Sequence, residues 1–214
     1  MRDPLRLNER LFALYYPWLL ELAERAGQRE TRRELISQAR GRTVELGAGS
    51  GVNLPHYTAE VSELVVTEPS PDMLRHLRTA IADQPPAAGS VQLVQTGAES
   101  LPFEDDSFDT VVGTYILCTI PDPARALAEV ARVLRPGGRY LFLEHVHAGE
   151  GSLLGAFQDL VERPHRYIAA GCHPNRHTDR VLEHSGLVVE RLEHGRQPRA
   201  PLTVRPTIIG SARS

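Results

Sequence analysis

The stretch of sequence that decides the fold is Val44-Glu45-Leu46-Gly47-Ala48-Gly49-Ser50-Gly51. An apolar run that predicts a buried strand leads into three glycines at alternate positions, and we expect a helix to follow. Glycine tolerates positive φ and lets a ligand approach the backbone closely. A dinucleotide-binding turn has the spacing G-x-G-x-x-G, which requires glycine where this chain has Val52. The turn therefore indicates a nucleotide-like ligand and disfavours a nicotinamide dehydrogenase.

Beyond this turn, short β-rich runs alternate with helical patterns. Such alternation is typical of a parallel sheet covered by helices on both faces. The helical patterns lie near residues 71–82 and 123–134, and Gly186 is expected to end a helix before the last two strands. The predicted strands are residues 43–46, 64–67, 91–95, 110–115, 139–144, 187–192 and 203–209. We therefore predict an α/β fold with a doubly wound, mostly parallel, seven-stranded sheet.

The N-terminal 40 residues have a helical pattern that is separate from the sheet. Gly27 is expected to interrupt it, and a second helix is predicted near residues 31–39. The apolar positions recur at intervals of three and four and predict a single stripe, formed by Leu7, Leu11, Leu14, Trp18 and Leu22. We expect this segment to form a helical cap on the sheet.

Composition excludes several kinds of chemistry. All 24 basic residues are arginine, so a Schiff-base lysine and a Walker A phosphate loop are both excluded. The net charge of −3 lacks the basic footprint of a nucleic-acid-binding protein. No stretch reaches the ~20 apolar residues of a membrane span, and the N-terminus lacks a signal-peptide core. We expect a cytoplasmic protein without a membrane span, and the uniform use of arginine predicts a GC-rich bacterial source.

An acidic residue lies at the tip of the second predicted strand, where residues 64–67 lead directly into Glu68. A carboxylate at this position can accept both hydroxyls of a ribose. The alternative is an acid in a solvated loop. The residues that follow, Pro69 to Met73, have the composition of a helix N-terminus. Met73 either packs on an adenine ring or belongs to the core.

Four segments resemble the class I S-adenosylmethionine-dependent methyltransferases: VELGAGSG, TEPSPDML, GAESLPFEDDSFDTVV and VARVLRPGGRYLFLEH, in that order. The resemblance implies a Rossmann-like methyltransferase fold, with S-adenosylmethionine as cofactor and S-adenosylhomocysteine as product. It implies that the glycine turn holds the methionine end, Glu68 the ribose and the residues after the third strand the adenine. Many members have Asp where this chain has Gly97, so Glu99 or a backbone carbonyl would have to contact the adenine. The predicted cofactor contacts are Glu45, Gly47, Ala48, Gly49, Gly51, Asn53, Glu68, Pro69, Ser70, Met73, Gly97, Ala98, Glu99 and Thr114.

A narrower resemblance covers nearly the whole chain. The run from Val112 to Cys118, the segment Glu144-His145-Val146 and the segment Gly171 to Arg176 are similar to the methyltransferase-like 7 group of thiol methyltransferases. The resemblance implies a small, hydrophobic thiol acceptor. Animal members of this group carry an N-terminal hydrophobic anchor, which we do not expect in this sequence.

Within this interpretation the chain is one domain, residues 1–214. Residues 1–40 form the helical cap, 41–145 the cofactor-binding core, 146–178 the acceptor-site insert and 179–214 the last helix and strands. The insert has an apolar helical face that either closes over the acceptor or packs on the sheet, formed by Leu153, Leu154, Phe157, Leu160 and Val161.

Methyl transfer is an in-line displacement on an already activated methyl group, so the protein mainly positions the acceptor. A free thiol has a pKa near 8.5 and needs little help from a base, whereas an alcohol needs a stronger one. His145, just beyond the fifth strand, is the candidate base; the alternative is a histidine satisfied in a loop. The predicted acceptor pocket is lined by Tyr15, Tyr115, Cys118, Cys172 and His173.

Other interpretations stay open at this stage. The acceptor atom is oxygen, nitrogen or carbon if the substrate is quinone-like or a natural product, and the chain is a binding module if catalysis has been lost. Cys172, His173 and His177 lack a second pair of ligands, so we predict no metal site. The expected partner is a small-molecule methyl acceptor and not a nucleic acid, and the sequence does not indicate an oligomeric state.

Overall fold

The structure, a computed structural model, describes residues 22–169 and 171–214. Most of the predicted cap, with Tyr15, lies outside these residues. Within them, one sheet is formed by β1 (Gly41–Leu46), β2 (Val61–Thr67), β3 (Val91–Val94), β4 (Phe108–Thr114), β5 (Leu134–His145), β6 (Val188–Arg196) and β7 (Pro206–Arg213). The helices are α1 (Arg29–Ile36), α2 (Pro71–Asp83), α3 (Pro123–Val133), α4 (Leu153–Ile168) and α5 (Thr178–Glu183).

The strands lie in the order β3-β2-β1-β4-β5-β7-β6. The five strands from β1 to β5 are parallel to one another. After each of the first four, the chain crosses back to the opposite end of the sheet before the next strand begins. Strand β7 is antiparallel to both of its neighbours, β5 and β6. The predicted doubly wound, mostly parallel, seven-stranded sheet is confirmed.

Both faces of the sheet are buried, because successive side chains of a strand point to opposite faces. Val111 of β4 and Phe142 of β5 pack in one apolar cluster with α3 and α5. Their neighbours Val112 and Leu141 pack in a second cluster with α1 and α2. The central strands are therefore near-continuous apolar runs, as a sheet covered on both sides requires.

Short polar side chains fix the starts of three helices. Ser70 accepts from the Met73 N–H at 3.4 Å, and Ser152 accepts from the Gly155 N–H at 2.9 Å. Asp122 does the same at the start of α3. Such caps satisfy N–H groups that have no partner within the helix. The helix break that we expected at Gly27 is present, because Gly27 has a φ of 122°, which is not a helical value.

The last strand begins later than the sequence predicts. Residues 203–209 were expected to be extended, but Leu202–Val204 form a 3-10 turn and β7 begins at Pro206. Proline is tolerated at the first position of a strand because its missing N–H is not needed there. The turn is closed by Gln197, whose N–H donates to the Arg205 carbonyl at 2.7 Å.

Helix α4 turns a different face inward from the one that its apolar residues suggest. Leu153 is 93% exposed and Leu160 is 79% exposed, whereas Gly155 and Gln158 are buried. The inward face is selected by close approach, since a side-chain carbon at Gly155 would lie 2.6 Å from the Gly149 carbonyl oxygen.

Gln158 explains why a polar residue occupies the inner face of α4. Its Nε2 lies 3.2 Å from the Val146 carbonyl and 2.8 Å from the carbonyls of Pro174 and Thr203. Its Oε1 accepts from the Ala148 N–H at 2.7 Å. One amide thus satisfies backbone groups of three separate segments, which would otherwise be buried without partners.

Within the part of the chain that the structure describes, no helix combines the length and the apolarity needed to cross a bilayer.

Replacement of Gly210 by alanine tests the packing of β7. A side-chain carbon there would lie 1.9 Å from the Arg191 carbonyl oxygen and 2.7 Å from Phe142 Cζ. We expect Gly210→Ala to lower the free energy of unfolding by about 1–3 kcal/mol, the usual cost of overpacking. The control is Gly195→Ala on β6, where the nearest atom is Thr207 Oγ1 at 3.3 Å. Equal urea midpoints for the two variants would contradict the close packing of β7.

Candidate active site

The carboxyl ends of β1, β2, β4 and β5 meet at one edge of the sheet, because these strands are parallel. Leu46 at the end of β1 lies beside Gly113 of β4, and Thr114 at the end of β4 lies beside Leu143 of β5. Ligands of doubly wound sheets bind at this edge. The predicted site residues can therefore be followed strand by strand along it.

The glycine turn after β1 requires glycine for two reasons. Gly47 and Gly49 both have φ of 56°, and Gly51 has φ of 82°, a region that side chains disfavour. In addition, a side-chain carbon at Gly47 would lie 2.3 Å from Ile116 Cδ1, and one at Gly51 would lie 2.7 Å from Leu54 Cδ1. The glycine turn thus packs against Ile116, just after β4, on one side and against Leu54 on the other.

Glu68, after β2, is oriented by the glycine turn itself. Its Oε2 accepts from the Gly49 N–H at 3.0 Å, and its Oε1 accepts from the Ser70 N–H at 3.0 Å. The residue is 7% exposed. Each carboxylate oxygen can accept a second hydrogen bond, so two acceptor positions remain for a ligand. Met73 adjoins the same turn, since a side-chain carbon at Gly49 would lie 3.9 Å from its Cε.

The segment after β3 places Gly97, Ala98 and Glu99 at the next position along the edge. Ala98 is buried in the core. Glu99 Oε1 accepts from the Asp122 N–H at 3.4 Å, and its Oε2 lies over Gly97. The Glu99 carboxylate is therefore shared between this segment and the start of α3.

A buried arginine from α1 reaches the ends of β1 and β4. Arg32 is 2% exposed, and its Nε donates to Glu24 Oε1 at 2.7 Å. Its Nη1 donates to Asn53 Oδ1 at 2.9 Å and to Thr114 Oγ1 at 3.2 Å. A buried charge is tolerated only when it is paired and hydrogen-bonded. Arg32 is paired with Glu24 and hydrogen-bonded to Asn53 and Thr114.

The same network continues to Glu45, which is fully enclosed. Asn53 Nδ2 donates to Glu45 Oε1 at 2.8 Å and to Thr114 Oγ1 at 2.9 Å, and the Tyr57 hydroxyl donates to Glu45 Oε2 at 2.8 Å. Burial raises the pKa of Glu45, and the hydrogen bonds from Tyr57 and Asn53 and the charge of Arg32 oppose that rise. Three predicted cofactor contacts, Glu45, Asn53 and Thr114, are thus joined in one hydrogen-bonded unit.

Tyr115, directly after β4, has a strained backbone. Its φ is 55°, which costs a residue with a large side chain about 1–3 kcal/mol. Gln28 donates a hydrogen bond to its phenol oxygen, and the Arg32 guanidinium lies 5.3 Å from the ring centre. On its other side the ring stacks on His145, with centroids 4.2 Å apart and an interplanar angle of 26°. Strain of this kind clusters at functional sites.

The carboxylate of Glu144 holds the strained turn in place. It is fully buried and accepts from the N–H groups of Ile116 and Leu117 at 3.0 Å and of Cys118 at 3.3 Å. Burial raises the pKa of Glu144 well above its usual range, and the three N–H donors work against that rise. Glu144 thus fixes the backbone that directly follows Tyr115, and Glu144 is also the residue before His145.

His145 is a neutral group at neutral pH. Burial, the neighbouring His165 and the charge of Arg32 lower the pKa of His145 to about 3. Among the described residues, its Nδ1 has no hydrogen-bond partner although the atom is buried. The ring therefore offers a lone pair as an acceptor, but it is a weak base.

The two cysteines face each other. Cys118 Sγ lies 3.8 Å from Cys172 Sγ, and both side chains are buried. The hydrogen bond with Cys172, together with burial, raises the pKa of the Cys118 thiol well above its usual range. The His173 N–H donates to the Cys118 carbonyl at 2.8 Å, and its Nδ1 lies 2.9 Å from Glu162 Oε1. The structure thus stacks Tyr115 on His145 and joins Cys118, Cys172 and His173 in a second group, which adjoins Tyr115 through the contact of Cys118 Sγ with the Tyr115 carbonyl at 3.5 Å.

Sequence reasoning missed Arg32 and its partner Glu24, as well as Gln28, which donates to Tyr115, and Tyr57, which donates to Glu45. One signal was present, because Arg32 stands three and four residues before Leu35 and Ile36, which form the buried stripe of α1. In the described part of the chain, no group of three or more histidines, cysteines and acids could hold a metal ion.

Comparison with known proteins agrees with this architecture. A protein-family model described as a methyltransferase domain matches residues 44–142. Human thiol S-methyltransferase TMT1B is 32% identical over 209 residues, which cover 92% of this chain and 85% of that protein. The ubiquinone/menaquinone biosynthesis C-methyltransferase UbiE of Marinomonas sp. (strain MWYL1) is 34% identical over 120 residues, which cover 53% of this chain and 47% of that protein. The crystal structure of YcgJ from Bacillus subtilis superimposes with a TM-score of 0.65 at 20% identity, covering 86% of this chain and 96% of that chain.

The fold and the site edge define a Rossmann-like methyltransferase that uses S-adenosylmethionine. Within that class, the chain belongs to the family of the TMT1 proteins. The predictions of an enzyme and of its cofactor are confirmed, and a binding module without catalysis is disfavoured.

Replacement of Arg32 by methionine tests the buried network. The change leaves Glu24 and Asn53 without their partner, and we expect a loss of about 3–5 kcal/mol in the free energy of unfolding. The control is Arg33→Met, which removes an exposed pair with Glu30 and should change the stability little, because exposed ion pairs are screened by solvent. If urea unfolds both variants at the same concentration, α1 is not held to the sheet by Arg32.

Proposed function

We propose that the enzyme transfers the methyl group to the sulfur of a small, hydrophobic thiol. The observation that carries this proposal is the burial of His145, which is the last residue of β5. Its pKa of about 3 makes it a weak base. A thiol with a pKa near 8.5 needs only weak assistance, whereas an alcohol needs a strong base. The similarity to TMT1B over 92% of the chain supports the same acceptor class.

The residues of the edge fit S-adenosylmethionine. When bound, the cofactor supplies a methyl group that is already activated on a sulfonium. The free acceptor positions of Glu68 suit two ribose hydroxyls, and Gly47 and Gly49 leave room for the cofactor against the backbone. The network of Glu45 and Asn53 fixes the end of β1 from below. The remaining cofactor contacts on our proposal are Ala48, Gly51, Pro69, Ser70, Met73, Gly97, Ala98, Glu99 and Thr114.

The acceptor is positioned mainly by Tyr115 and His145. The strained turn holds the Tyr115 ring against the imidazole, and this stacked pair orients the acceptor. Burial, the neighbouring His165 and the charge of Arg32, which lies over the same tyrosine, keep His145 neutral. Positioning of this kind supplies most of what the reaction requires from the protein.

A second candidate is methyl transfer to carbon of a quinone-like acceptor. It is favoured by the similarity to UbiE, which covers 53% of the chain, compared with 92% for TMT1B. Residues 146–178, which we propose as the acceptor-site insert, decide between the two. The cytoplasmic location and the boundary between core and insert stay predictions.

Replacement of Glu68 by alanine tests the cofactor assignment. We expect Glu68→Ala to weaken binding of S-adenosylhomocysteine about 10- to 100-fold, since a hydrogen bond to a charged group contributes about 1.5–3 kcal/mol. Isothermal titration calorimetry measures the change. Glu68→Gln retains an oxygen for the Gly49 N–H and should bind with intermediate affinity. The control is Glu63→Ala in β2, the strand before Glu68, which removes a side chain that pairs with Arg42 at 2.8 Å. Unchanged affinity in Glu68→Ala would contradict the assignment.

A panel of acceptors tests the proposed reaction. The enzyme is incubated with S-adenosylmethionine and with alkyl thiols, aromatic thiols, phenols, amines and a quinol, and methylated products are identified by mass spectrometry. We expect S-methyl products from thiols and none from phenols. Turnover of phenols or of the quinol without any thiol product would contradict the thiol proposal.

A further inference from the structure

We propose that His165 is a further catalytic residue of the acceptor site, whose Nε2 takes the proton of the acceptor while His145 orients it. This inference rests on the proposed thiol acceptor. His165 lies on α4. It is therefore contributed by the segment between β5 and α5 and not by a strand end, where base candidates of this fold are sought.

One turn positions both imidazoles. The Thr203 hydroxyl lies 3.4 Å from His165 Nδ1, and the neighbouring residue Val204 shares a backbone hydrogen bond with His145. The turn is itself anchored, because Gln158 Nε2 lies 2.8 Å from the Thr203 carbonyl. The two rings are close enough that a charge on His165 lowers the pKa of His145.

Each of the two rings has a nitrogen without a partner. Among the described residues, His145 Nδ1 and His165 Nε2 are buried and make no hydrogen bond. When Nδ1 of His165 donates to the Thr203 hydroxyl, its Nε2 carries the lone pair. A buried polar atom without a partner is costly, so two such atoms on rings that adjoin the same turn fit a site whose missing donor arrives with a ligand.

His165 is better suited than His145 to take a proton. His145 is enclosed, and a proton placed on it would have to be held in the interior. The His165 ring as a whole is half-buried although its Nε2 is enclosed, so the proton taken on Nε2 can reach solvent once the methylated product has left. Burial also lowers the pKa of His165, which keeps the ring neutral and ready to accept at neutral pH.

Two other histidines of this region face carboxylates. His147 Nδ1 accepts from the Gly149 N–H at 3.2 Å, and its Nε2 lies 3.6 Å from Asp159 Oδ2, so that nitrogen faces an acid and not a place for an acceptor. His173 Nδ1 is paired with Glu162.

The proposed step balances. The S–H bond of the acceptor breaks, its proton goes to Nε2 of His165 and its electron pair stays on sulfur. That pair forms the new bond to the methyl carbon, while the bond from carbon to the sulfonium breaks and its electrons return to the cofactor sulfur. His165 then releases the proton to water.

The experiment compares two thiols of different acidity. His165→Asn keeps a hydrogen-bonding amide near Thr203 but removes the base, and the control is His184→Asn at the exposed residue that follows α5. With a weakly acidic alkyl thiol, we expect His165→Asn to lower kcat/KM about 100-fold, within the usual contribution of a general base. With an aromatic thiol that is already ionised at the assay pH, we expect little change. Equal losses on both thiols, or a loss no larger than that of the control, would overturn the proposal.

A measurement without turnover gives an independent readout. An aromatic thiol whose thiolate absorbs in the near ultraviolet is titrated into the enzyme with S-adenosylhomocysteine, at a pH below the pKa of the free thiol. We expect the wild type to bind it as thiolate and His165→Asn to bind it as thiol; thiolate in both excludes His165 as the proton acceptor. If the acceptor panel shows no thiol turnover, the thiol proposal fails separately, and the same variants on the acceptor that is turned over then decide the role of His165.

Discussion

The burial of one guanidinium constrains the whole of the active edge. Arg32 can stay in the interior only if acceptors surround it, and those acceptors are Glu24 before α1, Asn53 after β1 and Thr114 at the end of β4. Three segments that are distant in sequence are therefore fixed relative to one another by a single side chain. The cofactor turn and the acceptor side inherit their relative positions from this contact.

Two buried carboxylates support different parts of the site edge. Glu45 lies below the cofactor turn and receives hydrogen bonds from side chains, whereas Glu144 receives them from three backbone N–H groups. The first supports a surface on which a ligand can lie. The second holds Tyr115 in a conformation that it would not adopt alone. The fold thus keeps a strained residue beside a neutral imidazole because a neighbouring strand supplies the compensating contacts.

The parts of the structure that follow from local sequence were predictable, and those that follow from packing were not. The strands, Gly47, Gly49 and Glu68 are visible because apolar runs, glycine spacing and an acid at a strand end are local patterns. The inner face of α4 is not, because the amide of Gln158 is placed inside by backbone groups of three separate segments. Thr203 was expected in a strand because β-branched side chains are common in strands. The structure places it in a 3-10 turn, where its carbonyl contacts Gln158 of α4.

Residues that combine a polar side chain with a helical position were the hardest to assign. Arg32 and His165 both lie on helices where charged residues usually face water. Only the three-dimensional contacts distinguish them from exposed neighbours such as Arg33. Periodicity identifies the buried stripe of a helix, but it does not show which polar residue within the stripe finds a hydrogen-bond partner in the interior.

The position of β7 has a consequence for the order in which the chain can fold. Strand β6 lies at the edge of the sheet and, within residues 22–169 and 171–214, pairs with β7, which follows it in the sequence. During synthesis β6 therefore emerges before its partner, so it can join the sheet only together with β7 or after it. Until β7 is made, the backbone donors and acceptors of β6 are open to any neighbouring chain. The charged residues along β6, Glu190, Arg191, Glu193 and Arg196, are suited to discourage such pairing during that interval.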